Sequence, residues 1–206
     1  MLMKRLIDIL FSFVGLLITF PVIVVFLLIV WKHDGESPFF VAKRVGKRGK
    51  LFKMIKIRTM VINAEASGVD STSSNDPRIT GIGKTIRKYK IDELPQLFNI
   101  LIGDMSLVGP RPNVERDVKI YTDVEKVLLS VKPGLTDFSS IVFSDESEIL
   151  KDKNDPDIAY NQLIRPWKSN LGLFYIENNN ILIDFILISI TILGIFSRKL
   201  SLKFIC

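Results

Sequence analysis

The chain has 206 residues, 48% hydrophobic and 24% charged, with a formal net charge of +6, which fits one folded domain with membrane-associated segments and argues against a wholly soluble one. One cysteine, Cys206, excludes an intrachain disulfide, and with one histidine there is no Cys/His cluster for a structural zinc. The positive balance points to anionic phosphates on lipids, nucleotides or nucleic acid.

From Leu6 to Trp31 the chain is almost wholly apolar, interrupted by Asp8, Ser12, Gly15, Thr19 and Pro21. At ~20 residues per spanning helix it is long enough to cross a bilayer. No small-residue cleavage site follows, so the segment is expected to be retained. A straight span, a re-entrant helix-break-helix and a buried core helix all fit an apolar run. Pro21 removes a backbone donor and bends or breaks a helix near the midpoint. Basic residues flank both ends, Lys4 and Arg5 before and Lys32, Lys43 and Arg44 after, and a straight span strands one set on the wrong side. The expectation is therefore a re-entrant anchor over residues 1–34, hinged at Pro21, with Arg5 and Asp8 pairing near the head groups.

Pro38 to Lys43 and Leu51 to Ile57, separated by Gly46-Lys47-Arg48-Gly49, predict a β-hairpin with a basic tip. Lys56, Arg58 and Thr59 lie at its end. Asn63 to Asn75, rich in Ser, Asp and Gly, reads as a helix-to-loop connection. Lys84, Arg87, Lys88 and Lys90 then crowd the approach to Asp92 and Glu93. Leu94, Leu97, Phe98 and Leu101 make an apolar helical stripe stopped by Gly103, with Asp92 as its N-cap and Pro95 in its first turn.

Alone, Asp-Glu-x-Pro is ordinary capping chemistry. Here cations surround the pair and a membrane segment adjoins it. Prolines on both sides of Arg111, in Gly109-Pro110-Arg111-Pro112, restrict its backbone and preorganise the guanidinium for bidentate phosphate binding. Neighbouring carboxylates ionise together only with a counter-cation, which a divalent metal bridging to phosphate supplies.

Asp145, Glu146 and Glu148 read as a solvated helix face, with contact to a basic or amino group on a ligand as the alternative. Arg165-Pro166-Trp167-Lys168 suits a membrane interface. Ile181 to Phe196 is apolar but short for a span, so an interfacial or packing helix is expected, with a second transmembrane helix as the alternative. His33 is assigned no chemistry. The whole reads as α+β, mostly helical with a small β-hairpin, divided into the anchor at 1–34, a globular domain at 35–180, and a C-terminal helix with basic tail at 181–206.

These residues carry a resemblance that runs nearly end to end. Lys4-Arg5 with Asp8 and Pro21, Arg44-Val45-Gly46 with Gly49 and Phe52, and Lys56 with Arg58-Thr59-Met60 open the pattern. Asp76-Pro77-Arg78-Ile79-Thr80, Gly83, Arg87, Asp92 to Leu97 with Asn99, Gly103 to Pro112 and Lys132 to Thr136 complete it. The chain resembles the small monotopic phosphoglycosyl transferases among bacterial sugar transferases.

That resemblance implies transfer of a sugar 1-phosphate from a UDP-sugar to polyprenyl (undecaprenyl) phosphate with release of UMP, initiating polysaccharide or glycoconjugate assembly. It implies a covalent phosphosugar on Asp92, Mg²⁺ held at Asp92, and Glu93 as partner in the dyad. Lys56, Arg58, Arg87 and Arg111 are the cations expected on phosphate. The implied location is the cytoplasmic face of the bacterial inner membrane, with membrane lipid as partner and no nucleic acid. Self-association and docking of downstream glycosyltransferases are left open. After Lys132 to Thr136 the chain departs from the usual Gly, aromatic or aliphatic, Ala, Gln continuation, and Asp137, Phe138 and Ser139 are the expected place of donor specificity. The rival reading is a non-catalytic, membrane-tethered basic module binding anionic lipid or nucleic acid. It leaves the acidic dyad and the proline-framed arginine unexplained.

Overall fold

A computed structural model describes residues 2–69, 71–197 and 202–203. The expected basic tail at Arg198 and Lys199, and Cys206, lie outside the described residues. Helix α1 (Leu2–Asp34) has 33 residues, about 50 Å at 1.5 Å per residue. Among the described residues it alone is long and apolar enough to cross a membrane. The expected break at Pro21 does not form, because the proline sits inside one uninterrupted helix. Proline deletes a single bond, here the one the Leu17 carbonyl would accept, and packing on both sides of it holds the helix. Asp8, Ser12, Ile23 and Val30 are buried on one face, at spacings close to whole helical turns. Leu10, Val14, Leu17, Phe20 and Leu28 stand exposed.

Strands β1 (Phe39–Val45) and β2 (Leu51–Ile57) form the predicted antiparallel hairpin, in register from Phe39 opposite Ile57 to Val45 opposite Leu51. Alternation turns Ala42, Phe52 and Met54 into the core. Helix α2 (Gly81–Lys88) is N-capped by Thr80, whose Oγ1 accepts from Gly83 N at 3.0 Å. A tight 3₁₀ turn at Ile91–Glu93 then leads into α3 (Gln96–Ile102). Asp92 therefore lies inside the turn and is not the N-cap that its sequence position suggests.

Gly103, at φ 97°, ends α3 and the chain reverses into β3 (Ser106–Val108). After α4 (Glu115–Lys119), β4 (Gly134–Thr136) pairs with β3 in parallel, Ser106 opposite Gly134 and Val108 opposite Thr136. The backbones meet just beyond, where a Cβ on Gly134 would stand 2.1 Å from Gly109 N. Only glycine fits there.

Helices α5 (Phe138–Val142), α6 (Glu146–Ile149), α7 (Pro156–Leu163), α8 (Arg165–Asn178) and α9 (Ile181–Phe196) complete the chain, which is mostly helical with a small sheet, as expected. The main core joins the hairpin to Leu97 and Ile100 of α3, Met105 to Val108 around β3, Ile141, Tyr175, and Leu187 and Ile190 of α9. Helix α9 is thus a packing helix on one face. Its other face exposes Leu182, Phe185 and Ile186, with Phe185 edge-on to Phe11 of α1 at 5.7 Å between centroids.

Candidate active site

Three elements converge on the acidic pair. β2 delivers Lys56, whose Nζ lies 3.0 Å from Glu93 Oε1 and 3.5 Å from Asp92 Oδ2. The turn after β3 delivers Arg111, whose Nη2 donates to Glu93 Oε1 while Nη1 reaches Oε2 and the Leu135 carbonyl at 3.4 Å. The end of α2 brings Arg87, aimed by an Nε donation to Thr59 Oγ1 at 2.8 Å. Both carboxylates are buried.

The pair is electrostatically unequal. Burial acts to raise Glu93, but Arg111, Lys56 and Lys90 overrule it and hold the carboxyl well below its ordinary range. Burial also pushes Asp92 up; Lys56 opposes this and the charge on Glu93 adds to it. Glu93 in turn raises Arg111. Lys90, in the left-handed region at φ 57°, is lowered by burial, with Glu93 opposing. Glu93 is thus a fixed, neutralised anion, and Asp92 is the carboxylate less satisfied by the protein.

Four expected site residues lie together: Asp92, Glu93, Lys56 and Arg111, with Arg87 beside them. Arg58 does not join them. Its Nη1 and Nη2 make a two-pronged pair with Asp34, each bond 2.7 Å, and its Nε donates to the Ser37 carbonyl. It fastens the end of α1, a partner not deducible from the hairpin's sequence. Asp137 and Ser139 are also turned inward. Asp137 caps α5 through Ser140 N at 2.7 Å and takes both serine hydroxyls, while Phe138 packs edge-on to Phe174.

Arg5 and Asp8 do not pair with each other. Arg5 donates to the Ile100 and Leu101 carbonyls at 2.6 and 2.8 Å, capping α3. Asp8 accepts from the Ser106 hydroxyl at 2.9 Å and Leu107 N at 3.0 Å. One turn earlier, Lys4 meets Asp184 at 2.5 Å and Tyr175 Oη at 3.0 Å. Arg5 and Asp8 thus satisfy backbone groups left open at a helix end and on a strand. The motif residue Thr59 also belongs to the surroundings of the dyad, through Arg87. Among the described residues, the Gln96 amide nitrogen is buried without a hydrogen-bond partner.

No group of three or more His, Cys, Asp or Glu side chains suited to a metal occurs among the described residues. Mg²⁺ does not require one, since it commonly takes one or two carboxylates and completes its shell with waters and substrate phosphates. The loosely paired Asp92 fits that donor set, whereas the oxygens of Glu93 are already taken by cations.

The sequence profile of the bacterial sugar transferase family matches residues 1–198, and the chain belongs to that family. It is similar to the galactosyl transferase CpsE of Streptococcus agalactiae, 40% identical over 163 residues, 72% of this chain and 36% of that protein. It is also similar to the undecaprenyl-phosphate galactose phosphotransferase of Salmonella typhimurium, 41% identical over 149 residues, 65% of this chain and 31% of that one. A third relative is the UDP-N-acetylgalactosamine-undecaprenyl-phosphate N-acetylgalactosaminephosphotransferase of Aeromonas hydrophila, 31% identical over 180 residues, covering 83% of this chain and 42% of that one. The chain matches less than half of each of these longer relatives.

Proposed function

We propose that the protein transfers a sugar 1-phosphate from a UDP-sugar to polyprenyl phosphate. Asp92 Oδ attacks the β-phosphorus, the bond from that phosphorus to the bridging oxygen breaks, and UMP departs. A phosphate oxygen of the polyprenyl acceptor then attacks the same phosphorus, the Asp92–phosphorus bond breaks, and a polyprenyl diphosphate sugar leaves. Dividing the transfer in two avoids bringing two anionic substrates together at once.

One observation carries the reading: Arg111 and Lys56 neutralise Glu93, while the adjacent Asp92 is held only by the longer contact to Lys56 at 3.5 Å and keeps its oxygens for a substrate. Lys56, Arg87 and Arg111 offset charge on the phosphoryl oxygens. Glu93 holds Lys56 and Arg111 in place. Mg²⁺ bound at Asp92 would favour its ionised form and screen the donor diphosphate.

The same reading places α1 in one leaflet with both ends on the cytoplasmic side. Support comes from the two ends, since Arg5 at one and Asp34 at the other bond to the same domain. A helix crossing the bilayer perpendicularly would put them on opposite sides. The exposed apolar face of α1, extended by α9, is then the lipid contact.

The test is UMP release by purified protein with polyprenyl phosphate, Mg²⁺ and a panel of UDP-sugars that includes galactose and N-acetylgalactosamine, the sugars in the relatives' names. Asp92→Asn is expected to abolish both UMP release and any trapped phosphosugar adduct. Full activity in that variant removes Asp92 as nucleophile. Silence of the wild type across the panel removes the enzymatic reading.

A further inference from the structure

Asn99 is completely buried in the middle of α3. Its side chain takes no part in the helix. Oδ1 accepts from Ile55 N at 3.0 Å and Nδ2 donates to the Lys53 carbonyl at 2.7 Å. Both groups lie on the edge of β2 away from β1, and no strand pairs with that edge among the described residues. The carbonyl of one residue and the N–H two residues on face the same way along a strand. In a parallel sheet, the backbone N–H and C=O of one neighbouring residue serve such a pair. The Asn99 amide offers the same donor and acceptor and stands in for that residue.

The next residue after Ile55 is Lys56. The amide therefore fixes where β2 presents its ammonium to the dyad, which lies in the 3₁₀ turn just before α3, about two turns upstream of Asn99. Asn99 also gathers the far side of the site, because its backbone carbonyl accepts from Gly103, Asp104 and Met105 N at 3.0 to 3.3 Å. These are the residues that reverse the chain toward β3 and Arg111.

We propose that Asn99 is a positioning residue for the transfer reaction: its side chain is a one-residue strand substitute that sets Lys56 against Asp92 and Glu93. The proposal rests on the enzymatic reading above. The Asn amide has an NH₂ donor group where an ionised Asp can only accept, so only the amide serves both edge groups without burying a charge. Ser or Ala leaves the Lys53 carbonyl or both groups unmatched.

The test is a double-mutant cycle on kcat, normalised to adduct-competent enzyme, with Asn99→Ala, Lys56→Met and the pair. Asn99→Ala is expected to lower kcat by about a hundredfold with KM for the donor little changed, and to add little once Lys56 is gone. Additive losses in active enzyme overturn the proposal and leave the enzymatic reading intact. If Asn99→Ala does not fold, the cycle is run on Asn99→Ser with the same expectation. Independently of activity, the Ile55 amide of the wild type is expected to exchange slowly with solvent hydrogen. Fast exchange there also overturns the proposal, whatever the UMP assay gives.

Discussion

The contact of Lys4 with Asp184 predicts an asymmetric pair of mutants. The Asp184 side chain is 11% exposed and that of Lys4 is 30% exposed. Asp184 also accepts from Tyr175 Oη at 2.7 Å. Lys4→Met strands a buried carboxylate with one neutral donor, and leaving such a charge unpaired costs about 3 kcal/mol, the low end of the range because Lys4 is partly solvated. Asp184→Asn keeps an acceptor for the tyrosine and leaves a lysine that can turn to water, costing about 1 kcal/mol. For a chain of this size these correspond to falls in melting temperature of roughly 6–12 °C and 2–4 °C. In the double variant nothing is stranded, so its loss should be smaller than the sum of the two. Thermal unfolding in one detergent, followed by circular dichroism, measures all three. Equal losses, or a larger loss for Asp184→Asn, would refute the claim that the carboxylate is the desolvated member.

The seam between Gly109 and Gly134 predicts that Gly134→Ala costs about 3 kcal/mol, the upper end for overpacking because the added carbon meets backbone. A wild-type melt would show that the two loops are not in contact. Arg58→Met and Asp34→Asn are each expected to lower stability while leaving the donor KM unchanged. A rise in KM for Arg58→Met would return that arginine to the phosphate site. The Arg58 guanidinium holds the Asp34 carboxyl at about 2 against an ordinary 3.8. A carboxyl depressed in the folded state stabilises above its unfolded value and loses that contribution as pH falls through the folded one. The stability gap between wild type and Arg58→Met should be level above pH 3.8 and close toward pH 2; a gap that widens on acidification would reverse the assignment.

Local patterns made part of this legible from sequence. The hairpin shows in alternation, the anchor in apolar length, and the dyad in two acids among lysines and arginines. The parallel contact of β3 with β4 does not show, because each strand has three residues and the partners are far apart in sequence. The same holds for Arg58, which the family resemblance grouped with the phosphate cations while its partner comes from the end of α1. Asp137 interrupts a familiar run in sequence, but that its oxygens bond Ser139 and Ser140 shows only in the fold. Motif order identified Asn99 as part of a pattern, but its task depends on an unpaired strand edge that only the folded chain reveals.

The bonds from Lys4, Arg5 and Asp8 into the domain change what the first helix is for. Replacing residues 1–34 with a generic membrane helix, or cutting them off to obtain a soluble fragment, would uncap α3, bare the Ser106 hydroxyl and Leu107 N–H, and uncover Leu97 where Gly15 now lies against it. The damage would fall on the run of chain that carries Glu93 at one end and Arg111 at the other. Solubilising this protein therefore calls for shielding the outer face of the first helix and keeping its inner face in place.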